Sequence, residues 1–221
     1  MTSLRDVVLH AHSLWPLSGA EDWDTPGLVT GSLDQEVTRI LLAVDAVSLT
    51  VDEAVDTKAD LLLTHHPLLL RGVKTIAEST AKGSILAKAI RAGISIYAAH
   101  TNADIVARGV SAALAKAFTL ANARPLIETS VMEGHGRIGD LSTTVSLGDF
   151  AKHIARVIPP TASGVRVAGD YDSQINSVAL CGGAGDSFID AAYAAGVDVY
   201  VTSDLRHHPV QEALERAKAD G

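Results

Sequence analysis

Leu4, Val7, Val8 and Leu14 recur at helical spacing along residues 3–14, and Pro16 closes the run, so the chain is predicted to open on a helix. Short aliphatic runs then alternate with amphipathic stretches. Ile40 to Val44 reads as a strand, Thr50 to Lys58 as a helix opened by Ser48 or Thr50, and Asp60 to Thr64 as a second strand, which together make a βαβ unit. A helix from Ser84 to Ala92 closed by Gly93, a strand from Ile94 to Ala98 and an alanine-rich helix from Ile105 to Phe118 continue the alternation. Between the first helix and the first strand, Trp23-Asp24-Thr25-Pro26-Gly27-Leu28 is dense in turn formers yet carries a tryptophan, which predicts a loop packed down onto the body.

Asn122 to Glu128, with Pro125 inside it, separates two stretches that each begin the alternation again. Ser177 to Leu180 (strand), Phe188 to Ala195 (helix) and Asp198 to Thr202 (strand) lead into His207-His208-Pro209, as Asp60 to Thr64 leads into His65-His66-Pro67. The order strand, helix, strand, threonine, His-His-Pro thus occurs twice. Two related α/β lobes are expected, residues 1–122 and 123–221, each a mostly parallel or mixed sheet flanked by helices.

Composition narrows the picture. With 221 residues the chain can bury a large core, and its 47% apolar content with only 4% aromatics fits aliphatic α/β layers. A formal charge of -8 argues against a broad basic surface for nucleic acid. The lone Cys181 excludes an intramolecular disulfide and a thiolate metal cluster, and points to a reducing compartment. The N-terminus lacks signal-peptide order and no stretch approaches the roughly 18 apolar residues of a membrane span, so a cytoplasmic protein is expected.

The chemistry concentrates at strand ends. His65 and His66 follow the buried run Leu61-Leu62-Leu63-Thr64, and His100-Thr101-Asn102-Ala103-Asp104 follows the next strand, at the carboxyl ends where ligands of open α/β sheets gather. One such histidine is ordinary; three with a carboxylate suggest a metal site. Side chains alternate in extended chain, and Pro67 keeps His66 extended, so the adjacent pair is expected to diverge and hold one ion each. Asp104 has a second reading, as the cap of the helix that follows. The glycine-rich Cys181 to Ser187 segment lacks the third glycine of a dinucleotide fingerprint and the lysine of a P-loop, so a tight turn capped by Asp186 or Ser187 is favoured over an anion site. His208 and Glu212 share a helical face at i and i+4, a spacing metal ligands use, although a solvated helix opened by Pro209 is the plainer reading. No Ser-His-Asp or Cys-His nucleophile pattern stands out.

Trp23-Asp24-x-x-Gly27-Leu28, Leu41 to Asp45, Thr64-His65-His66-Pro67, His100-Thr101-Asn102-x-Asp104, Gly182 to Gly185 and Val201-Thr202-x-Asp204, in this order over nearly the whole chain, resemble the dinuclear metal-centre hexameric protein family. Many bacterial members are labelled GTP cyclohydrolase 1 type 2 homologues, and Asp204 to Pro209 looks most like actinobacterial ones. The resemblance implies two α/β lobes with two divalent ions (Zn, Fe or Mn) between them, in the shorter form without an inserted middle domain. It also implies a homohexameric ring built as a trimer of dimers. It carries the ligand role onto His65, His66 and Asp104, with His100 beside the site as an orienting group or proton carrier and Asp45 close by.

The family supplies its remaining ligands from a histidine and a glutamate on a late segment, whereas this sequence stops at Ala219-Asp220-Gly221. A truncated chain with an incomplete site is therefore expected, with water, a partner chain or His208 and Glu212 as substitutes. The implied activity is metal-dependent hydrolysis of a nucleotide, the opening of the purine imidazole ring of GTP. The alternative is a non-catalytic metal-binding ring that recruits proteins or single-stranded nucleic acid.

Overall fold

A computed structural model of the chain describes residues 1–130 and 132–220. They form two compact units, Met1–Ala103 and Asp104–Gly221. Both are mixed α/β, the class the alternating pattern predicts.

In the first unit, α1 (Leu4–Leu14) begins at a capping box in which Ser3 and Asp6 bond each other's backbone N–H. The sheet carries β1 (Gly27–Thr30), β2 (Ile40–Ala43), β3 (Leu61–Thr64) and β4 (Ser95–Ala98) in the order β1-β4-β3-β2. β2, β3 and β4 run parallel, in the register Ile40↔Leu61 and Leu61↔Ser95, while β1 is antiparallel to β4. The crossovers are α2 (Ser48–Asp56) and α3 (Ala81–Arg91), the latter capped by the Thr80 hydroxyl. Leu61 and Leu62 point to opposite faces and both are fully buried, because helices cover both sides of the central strands. Leu62 and Ile96 pack with Val51, Ala54, Leu86 and Ala89 of α2 and α3. Leu61 and Tyr97 pack with Leu4, Val8 and Ala11 of α1. The short helix α4 (Thr101–Asp104) follows β4 and ends on the first residue of the second unit.

The second unit contains α5 (Val110–Ala117), β5 (Ala121–Arg124), the hairpin β6 (Ile127–Ser130) and β7 (Glu133–His135), and β8 (Arg137–Ser146). α6 (Leu147–Val157), β9 (Gln174–Ala184), α7 (Ile189–Ala194), β10 (Val199–Ser203) and α8 (His207–Asp220) complete it. Its sheet runs β10-β9-β8-β5, with β9 and β10 parallel and the other neighbours antiparallel. Ala115 and Phe118 at the end of α5 enter this unit's core with Phe150, Ile154, Val178 and Leu180, so α5 lies with the second unit and the division precedes the Asn122–Glu128 turn. The guanidinium of Arg137, only 2% exposed, is satisfied by the carbonyls of Val106, Gly134 and Gly136.

Three local expectations need correction. Residues 105–109 are not helical, and α5 starts after Gly109, so Asp104 does not cap it; glycine is a poor interior helix residue and a serviceable N-cap. Cys181 to Ala184 belong to β9 instead of a turn, which removes the anion-cradle geometry, and α7 has no side-chain cap. β1 and β5 to β8 carry little periodic signal and were not expected.

The internal echo has a physical counterpart. Before β3, one oxygen of Asp60 accepts from Thr38 N (2.8 Å), Thr38 Oγ1 (2.8 Å) and Arg39 N (2.9 Å). Before β10, one oxygen of Asp198 accepts from Asn176 N (2.9 Å), Ser177 N (2.8 Å) and Ser177 Oγ (2.8 Å). In each unit a carboxylate thus ties one strand of a parallel pair to its neighbour. The backbone N–H groups hold both carboxyls below the usual aspartate range. With folded pKa values under the unfolded value of about 3.9, the clamps contribute stability that is present above that pH and lost as pH falls through the folded values. Asp60→Asn is expected to cost on the order of 1 kcal/mol at pH 7, solvent exposure limiting the effect. It should also flatten the acid limb of stability against pH in urea unfolding; an unchanged limb would remove the clamp's role.

Candidate metal centre

Three parallel strands end at one edge of the first sheet, and each delivers polar residues there. β3 delivers His65 and His66. Their N–H groups still donate to Ala43 O (3.2 Å) and Val44 O (2.9 Å), so the chain stays pinned to β2 beyond the strand. The buried Thr64 hydroxyl donates to the His66 carbonyl (2.9 Å) and bends the chain. This bend overrides the alternation expected of an extended pair: the two rings lie 5.0 Å apart, and each stands within 5.6 Å of His100 (5.2 and 5.6 Å between centroids). One nitrogen from each of His65, His66 and His100 falls within 4.8 Å of the others, a group that could hold a metal ion. The expected divergence of His65 and His66 is thus corrected to convergence.

One nitrogen of each ring, Nδ1, has an oxygen partner. Nδ1 lies 2.8 Å from Ala99 O in His65, 2.8 Å from Asp45 Oδ1 in His66 and 2.8 Å from Asp24 Oδ1 in His100. A carbonyl oxygen can only accept, and an ionised carboxylate likewise, so Nδ1 carries the proton in all three rings. The neutral ring then has its lone pair on Nε2, the form in which histidine binds metal, with the oxygen behind it fixing the ring. Burial disfavours the cation of His65 and lowers its pKa, against the raising effect of the Ala99 bond, which keeps the ring neutral.

His100 rests on Asp24, whose side chain is entirely out of water. Asp24 Oδ2 also accepts from Thr101 N (3.1 Å) and Thr101 Oγ1 (2.5 Å), while Thr101 Oγ1 in turn accepts from Glu21 N (3.0 Å). Burial by itself would raise the Asp24 carboxyl, but the bonds from Thr101 and His100 outweigh it and hold the group below the usual range. The loop is therefore packed down as expected, but through its carboxylate, with the Trp23 indole left 60% exposed. Nothing in the hydrophobic pattern marks Asp24 as the orienting group; its position beside a tryptophan among turn formers was the available signal.

Among the described residues this group comprises the three histidines. Asp104 closes α4 at the start of the second unit, and its charge, after burial, helps push the Cys181 thiol up to about 11. His208 and Glu212 lie on α8, both exposed, and the His208 ring neighbours that of His207 at 5.3 Å.

Fold and site define an α/β protein of two units, the first presenting a three-histidine, metal-type cluster. The chain belongs to the Duf34/NIF3 (NGG1p interacting factor 3) family, whose model matches residues 2–219. A Streptomyces coelicolor protein named GTP cyclohydrolase 1 type 2 homolog is 49% identical over 217 residues, covering 96% of this chain and 76% of that protein. A Mycobacterium tuberculosis protein of the same name is 32% identical, covering 95% of this chain and 83% of its own length. Among solved structures, a Bacillus cereus protein related to NIF3 superposes with a TM-score of 0.88 at 25% identity, over 97% of this chain and 86% of that one. The Staphylococcus aureus protein SA1388 does so at 0.87 and 28%, over 97% and 83%.

If Asp24 fixes the metal-binding form of His100, Asp24→Asn should weaken Zn²⁺ affinity by roughly 10- to 100-fold in calorimetric titration. Unchanged affinity would leave Asp24 a purely structural residue.

Proposed function

We propose that the chain is a divalent-metal-dependent hydrolase acting on a nucleotide, in the manner of a GTP cyclohydrolase type 2. The observation that carries this reading is a set of three imidazoles, each with Nδ1 hydrogen-bonded to an oxygen, that bring one nitrogen apiece within 4.8 Å of the others. Imidazole with carboxylate support suits Zn²⁺, Fe²⁺ or Mn²⁺. When bound, such ions polarise a carbonyl or phosphoryl oxygen and acidify water. Two ions are proposed, as the motif resemblance implies, with Asp104 as a further ligand. The name of the Streptomyces and Mycobacterium relatives, GTP cyclohydrolase 1 type 2 homolog, supports the nucleotide.

His65 and His66 hold metal in this reading, while Ala99 O and Asp45 keep their rings in place. His100 Nε2 can serve as a third ligand or accept the proton of the attacking water. Asp24 supports both roles: it fixes the ring, and its negative charge stabilises the imidazolium that proton uptake creates. A cytoplasmic setting is proposed from the single, buried cysteine. For membranes, no helix among the described residues is long and apolar enough to cross one.

A second reading, a non-catalytic scaffold that assembles with copies of itself, has one observation in its favour. Ile40 and Leu42 on the edge strand β2 and Val44 just beyond it form an alternating exposed aliphatic row. The expected homohexamer is kept as a proposal on that ground.

Metal-loaded protein is to be incubated with GTP, other nucleotides and simple phosphoesters, beside His65→Ala, His100→Ala and Asp104→Asn. Metal-dependent turnover of a nucleotide is expected, at least about 100-fold lower in His65→Ala together with loss of bound metal. His100→Ala separates its roles, since a ligand's loss lowers metal content and a proton carrier's loss lowers turnover alone. Asp104→Asn with full metal content would remove that residue from the ligand set. Absence of metal-dependent turnover on any nucleotide would sink the hydrolase reading and leave the scaffold.

A further inference from the structure

Trp23 is a large apolar ring left 60% exposed on a loop that is otherwise tightly held. Asp24 N donates to Glu21 O (2.9 Å) and Glu21 N to Thr101 Oγ1, while the buried Asp24 carboxylate accepts from Thr25 N (2.8 Å), Thr101 and His100. Gly27, at φ +115°, then turns the chain into β1 in a conformation other residues rarely adopt. The backbone that carries the indole is therefore held on both sides.

Its position is specific. The Trp23 and His100 rings meet edge to face, 5.9 Å between centroids and 79° between planes. Whichever ring presents its edge, at least one face of the indole is clear of His100, and the residue as a whole is 60% exposed. His100 is at the same time 5.2 Å from His65 and 5.6 Å from His66. An open aromatic face thus borders the cluster at the distance of a single imidazole. Leaving a tryptophan exposed forgoes its burial energy, and proteins that place aromatic rings beside polar sites use them as stacking platforms for planar ligands.

We infer that Trp23 is the base-stacking platform of the substrate site, and that the substrate class is a planar heteroaromatic nucleotide, a purine in particular. This rests on the proposed nucleotide reading of the histidine cluster and adds how the base is selected: the indole takes the ring system while the histidine cluster faces its reacting portion. A phosphoester without an aromatic ring has no partner for Trp23. Stacking tolerates exchange among aromatic platforms, so phenylalanine should serve in its place.

The test uses the full chain loaded with Zn²⁺ and compares wild type, Trp23→Ala and Trp23→Phe for binding of GTP and of inorganic triphosphate. Calorimetry gives affinities for all three, and tryptophan fluorescence reports on the indole. Trp15, whose ring packs against the α1 core, supplies a constant background. Expected are saturable quenching of wild type by GTP, a 5- to 150-fold loss of GTP affinity in Trp23→Ala, recovery in Trp23→Phe without quenching, and triphosphate affinity equal in all three (fold-changes of about this size follow from stacking of one base). Zn²⁺ content equal across the variants guards against a folding artefact. Equal GTP affinity in wild type and Trp23→Ala, parallel loss of triphosphate binding, or wild type without saturable quenching would each overturn the inference. None of these readouts needs turnover. Purine-dependent quenching without hydrolysis therefore leaves the platform and removes the catalytic reading, whereas hydrolysis with Trp23-independent binding does the reverse.

Discussion

A hydrogen-bond acceptor at one nitrogen of a neutral histidine holds the proton there and leaves the lone pair of the other for a metal, and in the first unit this arrangement occurs three times. The acceptors are of different origin: a main-chain carbonyl for His65, a half-exposed carboxylate for His66 and a fully buried one for His100. Each fixes which nitrogen carries the lone pair and which way the ring faces. Without them the same three residues would be a polar surface at a sheet edge.

What gathers the acceptors is the parallel sheet. β2, β3 and β4 end at one level because their registers run Ile40↔Leu61↔Ser95 to Ala43↔Thr64↔Ala98. Asp45 follows β2, the histidine pair follows β3, and Ala99 and His100 follow β4. The Thr64 hydroxyl bends the chain so that neighbouring side chains converge, and the Asp24 loop closes the arrangement from the side of β1. The buried carboxylate thus serves two purposes, orienting His100 and anchoring the turn that exposes Trp23. The fold positions the chemistry, and a small number of hydrogen bonds sets its protonation.

Much of this was legible in the residues. The strands Ile40 to Val44, Asp60 to Thr64 and Ile94 to Ala98 differ from the observed β2, β3 and β4 by one residue at an end, because buried parallel strands are written as unbroken aliphatic runs. The strand ends then pointed to His65, His66 and His100. The repeated βαβ order was legible too, although the Asp60 and Asp198 clamps that give it physical content depend on contacts between distant segments. Illegible were the β5 to β8 strands, such as Ala121–Arg124, whose small and polar residues carry no alternation. The convergence of His65 and His66 was missed since it hangs on one hydroxyl bending the chain, and a periodicity argument ends where the strand does. Asp24 stood in a quoted motif without a role for a related reason: a buried carboxylate in a loop is defined by its partners at residues 100 and 101.

The central claim is that His65, His66 and His100 are held as Nδ1–H rings with Nε2 presented together. Nitrogen-15 NMR of the imidazole groups in the metal-free protein near pH 7.5, followed by stepwise addition of Zn²⁺, reads this directly. The account predicts the Nδ1–H form for all three rings before addition, and coordination shifts at their Nε2 atoms that rise together along one titration curve. Rings carrying the proton on Nε2, or three signals that respond to Zn²⁺ independently or not at all, would contradict it.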